Sequence, residues 1–348
     1  MRVRPSRRSV AVLNSEADME AIVRDKYGSP DVLRLEEVPA PLPREEEILV
    51  KIHAAAVNKG DWEILNGSPL WVRLVGFGLF RPRVRILGSN FAGRVVAVGS
   101  AVTRFEVGDD VCGDLLEHGL GAFAEFVCAP QDAAVVRKPA GLSYAQAASL
   151  PESGLIALQA LRDKGNISPG QQVLINGAGG GAGAIAIQLA KSMGAEVTAV
   201  DAGGKLGFMS SLGADHVVDY TTGDLASRNA TYDFILDVGG AGSIRTWRRL
   251  LRPGGRYMAA GGTVGQLLKT LLAGAWVSWR SRQTIGVLAL DFNARDISTV
   301  LDLVDSGTIQ TTIDRRFPLP EVANALRYLG AGKSTGKLVI TVADDEQG

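Results

Sequence analysis

The 348-residue chain is poor in the residues that build covalent or metal frameworks, with two cysteines and three histidines. Cys112 and Cys128 can neither staple a small secreted domain nor supply a cysteine-based zinc cluster. A reducing cytoplasm is the compartment that such usage fits. Net charge is also missing, since 37 Lys plus Arg balance 37 Asp plus Glu. No basic stripe runs through the body, which argues against nucleic acid as the main partner. No apolar run reaches the roughly 20 residues of a membrane-spanning helix, and no signal-peptide pattern is present. Stable membrane insertion is therefore not expected. Residues 1–18 stand apart: Arg2, Arg4, Arg7 and Arg8 make them basic and core-poor, as a disordered extension would be.

What the chain does have is glycine, 42 residues of it, and its densest run lies in a telling context. Between Gln172 and Asp201 the sequence reads QVLINGAGGGAGAIAIQLAKSMGAEVTAVD. Val173–Ile175 is a short apolar run of the kind a buried parallel strand shows. Gly177, Gly179, Gly180, Gly181 and Gly183 follow, a turn in which backbone can approach a ligand without Cβ interference. An amphipathic helix with Ile185, Ile187, Leu189 and Ala190 comes next, then a second strand, Val197–Val200, ending in Asp201. A glycine-rich turn can merely pack a helix tightly on a sheet. Strand, turn, helix, strand and terminal acid together are the parts of a dinucleotide-binding unit, with the pyrophosphate on the helix N-terminus.

The pattern on either side differs. From Ala21 to Ala145 short β-type runs alternate with turn signals: Ile48–Ile52, Arg94–Val98, Val111–Asp114 and Phe123–Val127. From Leu150 strands alternate with helices, which argues for a parallel, helix-covered sheet. Further strand candidates are His216–Val218, Phe234–Asp237, Gly255–Ala260 and Thr284–Leu290, with helices at Lys205–Leu212 and Ser243–Leu251. Lys337–Val342 is a strand again and is expected to return to the first domain. The expected fold class is α/β, a doubly wound parallel sheet inserted within a β-rich domain. Its boundaries are 19–144 with 292–348 for the β-rich part and 145–291 for the nucleotide-binding part.

In order and spacing, KYGSPDVLRLEEVPAP, AAAVNKGDWEILNG, ILGSNFAGRVVAVG, VGDDVCG, GAFAEFV, SLPESGLIALQAL, SLGADHVVDY, YDFILDVGG and GKLVITV resemble the medium-chain dehydrogenase/reductase superfamily in its quinone-oxidoreductase branch. The resemblance covers nearly the whole chain from Met19. It implies a GroES-like catalytic domain around an inserted Rossmann domain, an oxidoreductase activity and a homodimer. Zinc alcohol dehydrogenases of that superfamily place a Cys where Asn58–Asp61 stands and a His-Glu pair where Ser89-Asn90 stands. Those ligands are absent here, and His53, His118 and His216 have no metal-like spacing. No metal is expected. His118, in the loop before GAFAEF, is the one histidine with a prospect of facing the cleft.

Without a Lewis acid for an alkoxide, hydride donation to a conjugated acceptor is the easier chemistry, because charge delocalises into a quinone or an α,β-unsaturated carbonyl. Asn58 and Asp61 match the N-x-x-D motif that lies beside the nicotinamide in similar enzymes; they also suit capping of a helix around Trp62–Leu65. Glu63 departs from the Tyr or Lys usual in the family, so solvent is the expected proton source; Ile156 departs from the usual Thr, so one polar cofactor contact is not expected. Cofactor choice is contested. Asp201 is placed to accept ribose hydroxyls and favours NADH, whereas Lys205 and Tyr220 fall where similar reductases touch the 2′-phosphate of NADPH. Two apolar segments, 69–80 and 264–279, are candidates for a lipophilic acceptor pocket through Trp71, Phe77, Phe80 and Trp276. A subunit interface or a packed helix is the alternative for both. The rival functions are a carbonyl or alcohol dehydrogenase lacking zinc, and a cofactor-binding regulatory protein without turnover.

Overall fold

The structure is a computed structural model, and it describes residues 17–68, 73, 77–223, 230–240, 242–262 and 264–343. The basic opening up to residue 16, Trp71 and the side chain of Trp276 lie outside the described residues. The chain enters as a hairpin in which β1 (Asp18–Val23) pairs antiparallel with β2 (Arg34–Pro39). β3 (Glu47–Val57) is buried along most of its length and forms the spine of a seven-stranded sheet. It runs directly into α1 (Lys59–Asn66). Arg24 is fully buried behind that helix and donates to the carbonyls of Ile64 at 2.5 Å and Leu65 at 3.3 Å. A cation there satisfies C-terminal carbonyls and complements the helix dipole, which fixes how α1 leaves the sheet.

β4 (Asn90–Val98), β5 (Asp110–Asp114), β6 (Phe126–Pro130) and β7 (Ala134–Arg137) extend the sheet with antiparallel pairings. The strand expected at Phe123–Val127 starts three residues later. Phe123 instead donates its N–H to Leu87 O at 2.9 Å, and Ala124 bridges Ala21, so the chain binds the hairpin before it joins β3. α2 (Tyr144–Ala148) and α3 (Pro151–Leu158) then lead across to the second unit.

That unit is built from β8 (Gln172–Asn176), α4 (Gly181–Ser192), β9 (Glu196–Asp201), α5 (Leu206–Ser211), β10 (His216–Asp219), β11 (Tyr232–Asp237), α6 (Ile244–Leu250), β12 (Leu251–Ala259), α7 (Val264–Arg280) and β13 (Thr284–Val287). Its strands are all parallel, in the order β10-β9-β8-β11-β12-β13. Counted within the sheet this is 3-2-1-4-5-6, so the winding reverses between β8 and β11. A crevice opens at the carboxyl ends of those two strands, where ligands bind in such sheets. Val173, Leu174 and Ile175 are wholly buried because helices cover both faces. β13 ends at Val287, short of the expected Leu290, and Leu288 closes the pairing with its N–H on Ala259 O at 2.8 Å.

The chain then forms α8 (Ala294–Asp305), β14 (Ile313–Pro318), α9 (Val322–Gly330) and β15 (Lys337–Thr341). β15 lies between β14 and β3, completing the order β14-β15-β3-β4-β5-β7 with β6 alongside β3. The pairing of Leu338 with Val57 sets the first residue of β15 beside the junction of β3 and α1. Two distant parts of the sequence thereby meet at one end of the sheet.

Candidate active site

The glycine turn packs closely against the loop after β11. Gly177 takes φ +78°, and a Cβ there would lie 2.6 Å from Gly239 N, on the loop after β11. Gly183 sits inside the first turn of α4, where a Cβ would be 2.4 Å from Gly177 O and 2.6 Å from Ala178 Cα. Gly180 differs: its nearest neighbour would be 3.6 Å away, which leaves a space above the first N–H groups of α4. Such a cradle fits a phosphate pair. Gly177, Gly180 and Gly181 line the cleft of about 410 Å³; Gly183 does not, and its role is helix-to-turn packing.

Asp201 is buried and does more than face the cleft. Its Oδ2 accepts from Gly179 N at 2.9 Å, and its Oδ1 accepts from Ala202 N at 2.8 Å and lies 3.3 Å from Lys205 Nζ. The acid therefore ties the end of β9 to the glycine turn while the lysine offsets its charge. Tyr220, 58% exposed, stands at the same rim. Asp201, Lys205 and Tyr220 are brought together, as the sequence suggests.

At the opposite wall α1 begins with Asn58. Its amide donates from Nδ2 to Ser89 Oγ at 3.0 Å, and its Oδ1 accepts from Lys337 Nζ. Asp61 accepts from the backbone N–H of Asn58 at 2.9 Å and of Gly88 at 3.1 Å. It stands behind Asn58, buried, and does not line the cleft; its geometry is that of a positioning residue rather than one in reach of substrate. Burial pushes the Asp61 carboxyl up to about 7 against those hydrogen bonds and the nearby Lys337 charge. Burial likewise raises Asp114 to about 6, although the Leu116 N–H and Asn90 hold it down. Ile156 lines the cleft with an apolar side chain.

Three charged cleft residues, Lys59 at the start of α1, Glu152 in the first turn of α3 and Lys337 at the start of β15, were not singled out by sequence reasoning. For two of them a signal was available: Glu152 interrupts the apolar stretch LPESGLIAL and Lys337 opens the strand KLVIT, and charged groups enter such surroundings only for a reason.

Several other expectations change. Phe80 is 88% exposed and borders a shallow depression beside Asp25, Lys26 and Arg34, away from the cleft. Phe77 packs on the core of the β-rich domain instead of walling the cleft, held in place by Tyr27 Oη on its carbonyl at 2.7 Å. An apolar side chain without a cleft to fill is buried where the core offers contact. His118 is exposed at the end of a short helical turn and lies outside the cleft lining. Among the described residues, no group of three or more His, Cys, Asp or Glu side chains is arranged to hold a metal ion, and no helix is long and apolar enough to cross a membrane.

A doubly wound sheet whose glycine turn shares a cleft with a β-rich domain defines a two-domain dinucleotide-binding architecture. Residues 44–140 match the alcohol dehydrogenase GroES-like domain, and residues 212–340 match the zinc-binding dehydrogenase family. The chain is 34% identical over 336 residues to a chloroplastic quinone-oxidoreductase homolog of Spinacia oleracea, covering 92% of this chain and 98% of that one. It is 32% identical over 339 residues to the 2-methylene-furan-3-one reductase of Solanum lycopersicum, covering 93% and 79%. The structure of the quinone oxidoreductase from Coxiella burnetii superposes with a TM-score of 0.84 at 32% identity, covering 94% of this chain and 100% of the other. The chain belongs to the medium-chain dehydrogenase/reductase superfamily, in its quinone-oxidoreductase-like branch, and is an oxidoreductase.

Proposed function

We propose that the protein is a zinc-independent, NAD(P)H-dependent reductase of quinones or α,β-unsaturated carbonyls. The observation that carries this reading is one cleft in which an open glycine cradle at the sheet's switch point faces the Asn58 amide. When bound, the reduced nicotinamide supplies hydride. Gly177, Gly180 and Gly181 would hold the phosphates, and the N-terminus of α4 would offer them N–H donors. Asn58 is the catalytic-end contact: its Nδ2 and Oδ1 fix a polar wall at the reacting end, oriented from behind by Asp61. Asp201 accepts ribose hydroxyls, which favours NADH, and Lys205 lets NADPH be used as well. Relatives named quinone oxidoreductase, NAD(P)H oxidoreductase and 2-methylene-furan-3-one reductase support the acceptor class.

Oxidation of NADH and NADPH by the purified protein, with a panel of quinones, enones and aldehydes, tests the reading. Turnover on quinones or enones supports it. Activity confined to aldehydes would make the protein a carbonyl dehydrogenase, and tight cofactor binding without turnover a regulatory binder. Sedimentation of the same preparation tests the homodimer that goes with the reading. The two free cysteines, Cys112 buried and Cys128 half-buried, suit a reducing, cytoplasm-like compartment.

A further inference from the structure

Lys337 is a 5% exposed cation lodged between the two halves of the cleft. Its backbone is held by Lys337 N–H on Thr312 O at 2.7 Å, and the preceding Gly336 N–H bonds Gly179 O of the glycine turn at 2.9 Å. Its stem lies across the start of α4, since a Cβ at Gly181 would fall 2.3 Å from Lys337 Cδ. From there Nζ reaches over to Asn58 Oδ1, past the phosphate cradle and onto the wall assigned to the reacting end. An ammonium has three N–H donors, and among the described residues Asn58 accepts from Lys337 alone of the buried cations. Glu152 sits in the same cleft, with its own N–H on Asn90 Oδ1 at 3.2 Å. The negative groups facing Lys337 are Glu152, Asp61 and Asp114.

We infer that Lys337 is the general acid of the reduction, giving its proton to the acceptor oxygen. The inference rests on the reductase reading above. For an enone, the β-carbon gains hydride and forms a C–H bond, the C=C pair shifts, and the carbonyl oxygen becomes an enolate. One Lys337 N–H breaks as the O–H bond forms, leaving an enol that becomes the ketone and a neutral amine. A proton from solvent restores the ammonium. The acceptor is reduced by two electrons as the nicotinamide is oxidised. Burial holds Lys337 below the usual lysine range, towards the neutral pH at which proton transfer by a positioned group is most effective.

An enolate is much more basic than a hydroquinone anion, so the acid matters more for an enone than for a quinone. Lys337→Met is expected to lower kcat on a simple enone by about 10²–10³-fold and to affect benzoquinone far less. Its NAD(P)H Kd, from fluorescence titration, should stay near the wild-type value. Lys337→Arg keeps charge and stem but does not release a proton. It should fold, bind cofactor and share the enone loss. Lys337→Ala should regain enone turnover when methylamine is added, which a structural role would not produce. Equal losses on both acceptors without amine rescue would overturn the inference. So would a loss confined to cofactor affinity, which would make Lys337 a phosphate ligand. A wild-type protein that turns over neither acceptor would sink the reductase reading itself, and this inference with it.

Discussion

Gly180 and Gly183 stand three residues apart in one turn, yet substitutions there are expected to separate binding from folding. At Gly180 an added Cβ meets nothing nearer than 3.6 Å, and the backbone, φ −88° and ψ 177°, is extended, a conformation β-branched residues favour. Gly180→Val should therefore fold, at a cost of about 1 kcal/mol for a poorer N-cap. Its methyls enter the space where phosphates meet the N-terminus of α4. Losing one charge-assisted hydrogen bond, about 1.5–3 kcal/mol, weakens NADH binding by roughly 10- to 150-fold. At Gly183 the added atom falls 2.4 Å from Gly177 O and 2.6 Å from Ala178 Cα. Neither backbone atom can rotate away, so even Ala makes α4 retreat from the turn. Overpacking of this kind costs about 1–3 kcal/mol and should lower Tm by roughly 2–10 °C. Titration calorimetry and scanning calorimetry on the two variants read both quantities. A Gly180→Val protein that binds NADH as tightly as wild type, or a Gly183→Ala protein with an unchanged Tm, would refute the reasoning.

Asp201→Ser should raise the preference for NADPH over NADH by removing like-charge repulsion, and weaken both cofactors because Gly179 loses its acceptor; Lys205→Ala should shift the preference the other way. An unchanged ratio of kcat/KM values in both variants would place these side chains off the adenosine. Elemental analysis should find less than one zinc per chain, with activity surviving a chelator; a stoichiometric zinc whose removal abolishes turnover would replace the mechanism. Phe80→Ala should leave stability within about 0.5 kcal/mol and the quinone KM unchanged, whereas Phe77→Ala should cost on the order of 2–4 kcal/mol. A rise in quinone KM for Phe80→Ala would return that side chain to the acceptor pocket.

What was legible in the sequence was whatever depends on near neighbours along the chain. Strand, glycine turn, helix and terminal acid follow one another between Gln172 and Asp201, so periodicity and backbone freedom reveal the dinucleotide unit directly. Asn58 and Asp61 share one helix start, and their spacing alone makes the Asp61-to-Asn58 hydrogen bond foreseeable. Tertiary structure decided the rest. Lys337 lies 279 residues from Asn58 and reaches it only because β15 inserts between β14 and β3. Glu152 joins them because α3 packs beside α4, and Asp114 because β5 pairs with β4. Local spacing also misjudged burial: Phe80 sits in an apolar run yet faces solvent, while the charged Lys337 is enclosed. The physical reason is range. Backbone preferences and side-chain periodicity act over a few residues, whereas burial, and the electrostatics that burial amplifies, depend on which distant strands become neighbours in the sheet.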